Sequence, residues 1–95
     1  MDYTIIERAG LTQQEAADLL HIARVTLNLH INGKNKPMPT VALRTERVFA
    51  LLERLVEAKK LPKQIALRDK AARAVLMAKL HTVIEKHLAT ELAYE

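Results

Sequence analysis

The sequence predicts an all-α fold, with a compact domain of about four helices followed by one long C-terminal helix. Its 95 residues are 49% hydrophobic but only 3% aromatic, and they include only two glycines and three prolines. This mixture of Ala, Leu, Val, Lys, Arg and Glu favours helix along nearly the whole chain. Because the chain has no cysteine, it forms no disulfide, and apolar burial must supply its stability.

The lack of a long apolar run and the charged N-terminal residues predict a protein without a membrane segment. Fifteen basic and eleven acidic residues give a net charge of +4, which suits a polyanionic partner but does not identify one. No apolar run approaches the roughly 20 residues that a membrane span needs. Asp2, Glu7 and Arg8 interrupt the segment where a signal peptide would need an apolar core. We therefore expect a soluble, cytoplasmic protein.

Glycines and a capping residue mark the ends of the first three helices. Residues 3–8 form a short helix that Gly10 ends. Thr12 is a good N-cap for the second helix, and Glu15 completes a capping box three residues later. A third helix spans residues 23–32 and stops at Asn32-Gly33. Two such short helices bury little surface by themselves, so they must pack on a neighbour.

The expected neighbour is a fourth helix from Thr40 to Lys60. Its apolar residues fall on one face at helical spacing; they are Val41, Val48, Leu51, Leu52, Leu55 and Val56. Leu61-Pro62 ends this helix, because the residue before a proline is pushed out of the helical region. We therefore expect a first domain at residues 1–61 and a C-terminal element at residues 62–95.

The C-terminal element is predicted to be one helix from Gln64 to Ala93, because that stretch contains neither glycine nor proline. Its apolar stripe must be covered, either by folding back on the first domain or by pairing with a second copy of the chain. We favour dimerisation, since a helix of about 30 residues would overhang so small a core. The expected dimerisation residues are Val75, Leu76, Leu80, Val83, Ile84 and Leu88.

The stretch from Leu11 to Lys34 carries a combination of motifs. It opens with Leu11-Thr12-Gln13, has the small Ala17 where two helices would cross, and closes with Asn32-Gly33-Lys34. The pattern also includes Ile22, Arg24, Thr26, Leu27 and Pro37. Together these residues resemble the Cro and lambda-repressor-type (Xre-like) helix-turn-helix DNA-binding family. With the flanking helices, the similar region extends over residues 1–60.

The resemblance implies a way of binding double-stranded DNA. In the family, the exposed face of the third helix enters the major groove, and the matching base-reading residues here are Arg24, Val25, Asn28 and Leu29. The phosphate-contacting residues that it implies are Thr12, Gln13, Thr26, Asn32, Lys34 and Lys36. The implied function is that of a repressor-like regulator of bacterial or phage type, which binds a palindromic operator as a homodimer.

Three positions depart from the family pattern. His21 stands where the family usually has glycine, in a turn that needs a left-handed backbone, which histidine tolerates better than most residues. His30 replaces an aromatic or aliphatic residue, and we interpret it as a half-buried side chain packed on the fourth helix. Leu29 replaces a commonly polar residue, so it either contacts a thymine methyl group or marks a protein-binding face. The alternative function is therefore a protein-interaction module, such as an antitoxin or a phage-encoded inhibitor.

The sequence offers little for catalysis or metal binding. It has no serine, no glycine-rich phosphate loop and no paired carboxylates beside a base. His81 and His87 are six residues apart, a spacing that does not place two ligands on one helix face. We therefore expect no enzymatic activity, no metal site and no cofactor.

Overall fold

A computed structural model describes residues 1–92, and over that range it contains five α-helices and no strand. The all-α prediction is thus confirmed. The chain divides into two compact units, one spanning Met1–Lys63 and the other beginning at Gln64. The first unit holds α1 (Thr4–Arg8), α2 (Gln13–Leu20), α3 (Arg24–Ile31) and α4 (Pro39–Glu57), and the second holds α5 (Lys70–Leu92). None of the helices within residues 1–92 is long and apolar enough to cross a membrane.

α1 is a short helix that ends just before Gly10, the residue predicted to terminate it. At its start, the Asp2 carboxylate accepts hydrogen bonds from the Thr4 N–H at 3.0 Å and the Thr4 hydroxyl at 2.6 Å, and these bonds lower the pKa of Asp2. At its end, Ala9 is the C-cap and Gly10 follows with φ +73°. A Cβ atom at position 10 would lie 2.5 Å from the Cβ of Pro62. The junction therefore requires glycine both for its backbone conformation and for space.

α2 begins with the predicted capping box. The Thr12 hydroxyl oxygen accepts from the Glu15 N–H at 3.1 Å, and the Thr12 N–H donates to a Glu15 carboxylate oxygen at 2.9 Å. Two of the backbone N–H groups that a helix start leaves unpaired are satisfied in this way. Because this cap holds the N-terminus of α2 in place, it also positions Gln13, the first residue of the helix.

Replacing the capping residue tests its contribution to stability. Thr12→Ala is expected to lower the free energy of unfolding by about 1 kcal/mol, because the Glu15 N–H loses its acceptor. Urea unfolding followed by circular dichroism measures the difference. Thr40→Ala is the control, since Thr40 is exposed in the first turn of α4 and is not its N-cap. Equal losses for the two variants would show that the capping box contributes nothing specific.

The turn between α2 and α3 has the left-handed residue that the sequence predicted. His21 has φ 59° and ψ 39°, and the Ile22 N–H then donates to the Ala17 carbonyl at 3.1 Å. Ala17 itself is 0% exposed, as expected for the small residue between two crossing helices. The conformation of this turn sets the direction in which α3 leaves α2.

α4 supplies much of the core of the first unit and contacts both α1 and α2. Val48, Phe49, Leu51 and Leu52 are buried on it, and the ring of Phe49 packs edge to face on Tyr3 with centroids 5.6 Å apart. Two hydrogen bonds also join the Arg8 guanidinium of α1 to the Glu53 carboxylate of α4. The predicted core face is thus confirmed at Val48, Leu51 and Leu52, whereas the other three predicted core residues are only half-buried; they are Val41, Leu55 and Val56.

The predicted end of α4 at Lys60 was wrong. The helix ends at Glu57, because Lys59 adopts a left-handed conformation with φ 61°. The Lys60 N–H then turns back to the Leu55 carbonyl at 2.9 Å, a hydrogen bond typical of helix C-termini. The chain therefore leaves the helix before it reaches Pro62.

The second unit also begins its helix later than the predicted Gln64. α5 starts at Lys70, because the Asp69 carboxylate caps it by accepting from the Ala72 N–H at 3.1 Å. The preceding segment is held by the buried Arg73, whose guanidinium donates to the Ile65 carbonyl at 3.2 Å. α5 is described as far as Leu92, and the predicted end at Ala93 lies outside the described residues.

Candidate nucleic-acid interface

The start of α2 and the exposed face of α3 together form an open hollow on the first unit. The hollow has a volume of about 250 Å³ and is lined by Gln13, Arg24, Val25 and Asn28. Gln13 is the first residue of α2, and Arg24 is the first residue of α3. Residues from the two helices of the predicted motif are therefore brought to one surface. Three of the four predicted base-reading residues line this hollow.

α3 has one buried face and one exposed face. Leu27 is 0% exposed, whereas Val25 is 67% exposed, and Arg24 and Asn28 are exposed beside it. A valine exposed to this extent stabilises the fold little, so its apolar side chain is accessible to a partner. The fourth predicted base-reading residue, Leu29, is half-buried and does not line the hollow.

Side-chain amides are hydrogen-bonded along the edge of the hollow. Asn28 donates through Nδ2 to Oε1 of Gln13 at 3.4 Å, and Asn32 donates through Nδ2 to Oδ1 of Asn28 at 3.1 Å. Arg24, Asn28 and Asn32 are four residues apart and so follow one row along the helix surface. This row on α3 therefore begins with the Arg24 guanidinium and continues with the side-chain amides of Asn28 and Asn32.

The predicted phosphate-contacting residues lie at the start of α2, on α3 and in the loop after α3. Lys34 and Lys36 are exposed in the loop after α3, Asn32 is exposed at the C-cap of that helix, and Thr26 is half-buried. The Thr12 oxygen already accepts a hydrogen bond from Glu15, but its hydroxyl hydrogen can still be donated to an anion. Together with Gln13, these residues provide hydrogen-bond donors at the start of α2 and positive charge in the loop after α3.

Comparison with protein families gives a match to the helix-turn-helix family over residues 3–55. The match covers more than half of the chain and runs from α1 to the last turn of α4. The chain belongs to the Cro/C1-type helix-turn-helix family. The resemblance found in the sequence is therefore confirmed. No curated protein and no solved structure gave a match.

Membership in the helix-turn-helix family makes this a DNA-binding protein. The matched segment contains the whole hollow and both helices that line it. α5 lies outside the matched segment, so the family assignment does not describe its role.

Arg44 makes a contact with the helix-turn-helix motif that the sequence analysis missed. Its Nε donates to the Leu19 carbonyl at 3.0 Å, and its guanidinium lies 3.2 Å from Nε2 of His21. A cation at a helix C-terminus pairs with the carbonyls that the helix leaves free. Helical spacing indicates the face of α4 on which Arg44 lies, but not that its guanidinium meets the C-terminus of α2.

Proposed function

We propose that this protein is a sequence-specific DNA-binding regulator, repressor-like in action, that binds a palindromic operator as a homodimer. The observation that carries the proposal is the hollow lined by Gln13, Arg24, Val25 and Asn28, which places a cation, an amide and an apolar side chain on one exposed helix face. The major groove of DNA accommodates an α-helix and presents hydrogen-bonding groups and thymine methyls that such side chains distinguish. A regulator bound there excludes other proteins from the operator.

Each exposed residue of α3 has a base contact that suits its chemistry. Arg24 donates two hydrogen bonds to the O6 and N7 acceptors of guanine, and Asn28 pairs with the N6 and N7 groups of adenine. Val25 contacts a thymine methyl group, and Leu29 contributes through the part of its side chain that remains exposed. The phosphate contacts come from Thr12, Gln13, Thr26, Asn32, Lys34 and Lys36, which orient the helix without reading the sequence.

Alanine variants separate base reading from phosphate contact. Arg24→Ala and Asn28→Ala are each expected to lose about 1 to 3 kcal/mol of discrimination at one base position, whereas Lys34→Ala weakens binding to all sequences alike. The measurement is selection of binding sites from random duplexes, followed by titration of the selected site and its single-base variants.

Arg54→Ala is the control for charge alone, because Arg54 is exposed near the end of α4. It is expected to leave the base preference unchanged. If Arg24→Ala and Lys34→Ala lowered affinity for specific and random duplexes equally, the assigned roles would be wrong. Affinity for random duplex that does not fall with added salt would instead favour the protein-interaction alternative, since phosphate contacts release counterions.

Dimerisation through α5 is the second part of the proposal. One reading helix contacts only a few base pairs, whereas a symmetric dimer places two such helices about 34 Å apart, one turn of the duplex. Among the expected dimerisation residues, Val75 and Val83 are 56% and 46% exposed. The other four are buried; they are Leu76, Leu80, Ile84 and Leu88. Substitutions at Val75 and Val83 therefore test for a partner chain with little effect on the fold of the single chain.

Sedimentation of the full chain tests this dimer. We expect a dimer for the unmodified protein and a monomer for Val83→Asp, because the aspartate would be buried without a partner at the interface. Ala74→Asp is the control, since Ala74 is exposed on the opposite side of α5 from Val83. Val83→Asp should also lower affinity for a palindromic site far more than for a half-site. A monomeric unmodified chain would refute the dimer, and a dimeric Val83→Asp variant would place its interface elsewhere.

A further inference from the structure

Three amide side chains form a hydrogen-bonded chain across the two helices of the motif. Asn32 donates to Asn28 at 3.1 Å, and Asn28 donates to Gln13 at 3.4 Å. Asn28 therefore uses its oxygen toward one neighbour and its nitrogen toward the other. Both hydrogen bonds are therefore donated in the same direction, from the end of α3 toward the start of α2.

We propose that Gln13 and Asn32 are positioning residues that orient the Asn28 amide for adenine. The inference rests on the proposed function and adds a second role to two residues so far assigned only to phosphates. Asn32 presents a donor to one side of the Asn28 amide, and Gln13 presents an acceptor to the other. Rotating the Asn28 amide alone by half a turn, with the Gln13 and Asn32 amides unchanged, would place nitrogen against nitrogen and oxygen against oxygen. Both hydrogen bonds would then be lost.

The remaining valences of Asn28 match one base edge. An amide oxygen accepts two hydrogen bonds and an amide nitrogen donates two, so Asn28 keeps one acceptor site and one N–H for DNA. Adenine presents the N6 donor and the N7 acceptor in the major groove, whereas guanine presents two acceptors, O6 and N7. An amide held in one orientation thus pairs with both groups of adenine. Opposite guanine, its oxygen would face an acceptor and make no hydrogen bond. The terminal torsion of an asparagine side chain is otherwise broad. Holding the Asn28 amide in one orientation before binding therefore reduces the entropic cost of ordering it on DNA.

A role in positioning and a role in phosphate binding predict different effects of the same substitution. Loss of a phosphate contact lowers affinity for every sequence by the same factor. Loss of a positioning contact lowers affinity for the adenine site and leaves affinity for the other bases nearly unchanged. The informative quantity is therefore the ratio of affinities among four duplexes that differ only at the base pair read by Asn28.

The experiment uses the full chain and an operator selected from random duplexes. Asn28→Ala should lower the preference for adenine at one position by about 5- to 150-fold, which identifies that position. Asn32→Ala and Gln13→Ala should each lower the same preference by about 2- to 10-fold, the value of one hydrogen bond. In the Asn28→Ala background, neither substitution should change the preference further.

Two further variants serve as rescue and control. Gln13→Glu keeps an oxygen that accepts from Asn28, so it should retain the adenine preference while its negative charge lowers affinity for all four duplexes. Gln14→Ala should leave the preference unchanged, because Gln14 donates to Asp18 on its own helix at 2.9 Å.

The outcomes separate the positioning role from the proposed function. If Asn28→Ala removes the preference but Asn32→Ala and Gln13→Ala lower all four affinities equally, the positioning role is overturned and base reading by Asn28 stands. Effects of Asn32→Ala that persist in the Asn28→Ala background overturn it as well. If no sequence is selected, or if Asn28→Ala changes no base preference, the proposed function fails and the positioning role fails with it.

Discussion

Gly10→Ala is expected to lower the free energy of unfolding by about 2 to 5 kcal/mol. A side chain in the left-handed region costs about 1 to 2 kcal/mol, and Gly10 has φ +73°. The added Cβ would also lie 2.5 Å from the Cβ of Pro62, far inside van der Waals contact. Relief of such overpacking requires backbone shifts that typically cost about 1 to 3 kcal/mol. Urea unfolding monitored by circular dichroism gives the difference.

Gly33→Ala is the matched control for this prediction. Gly33 has nearly the same conformation, with φ +70°, but a Cβ atom there would meet no atom within 4 Å. It should therefore show only the conformational cost of about 1 to 2 kcal/mol. The difference between the two variants isolates the contact with Pro62. Equal losses would mean that Pro62 moves away without cost, and that Gly10 is required only for its backbone.

Leu27→Ala is expected to destabilise the protein by about 2 to 5 kcal/mol, the usual cost of removing a fully buried leucine side chain. Leu27 is 0% exposed on the inner face of α3, so the substitution leaves a cavity behind the helix that we propose reads DNA. The free energy of unfolding from urea titration tests this. At a temperature where the variant is still folded, its base preference should match that of the unmodified chain.

Val25→Ala is the matched control on the same helix. Val25 is 67% exposed, so its loss should change the free energy of unfolding by no more than about 0.5 kcal/mol. It should instead weaken binding where a thymine methyl group is contacted. A Val25→Ala variant as unstable as Leu27→Ala would contradict the division of α3 into a packing face and a binding face.

Signals that act over a few residues predicted much of the first unit. The capping box joins residues three apart, the left-handed His21 belongs to one turn, and Gly10 ends a short helix. The left-handed turn at His21 was implied by the family resemblance. The capping box and the end of the first helix depend on neighbours in sequence, so a sequence pattern is enough to predict them. The exposed row on α3 was predicted for the same reason, because helical periodicity places Arg24 and Asn28 on one side.

The end of α4 and the start of α5 were missed although their causes are also local. Lys59 takes a left-handed conformation that lysine rarely adopts, so no glycine or asparagine marked the end of α4. Asp69 caps α5, and aspartate is among the preferred N-caps. The start of α5 is thus marked in the sequence by a capping residue, although no glycine or proline breaks the chain there.

The sequence by itself determined the all-α class, the helix-turn-helix motif and the exposure of Arg24, Val25 and Asn28 on α3. Only the tertiary structure decided which distant groups meet. Arg44 reaches the Leu19 carbonyl across 25 residues, and Asn28 reaches Gln13 across 15. Pro62 packs against Gly10 and leaves no room there for a side chain. These contacts depend on how whole helices cross and pack, and helical periodicity predicts the face of each helix but not the atoms that it meets.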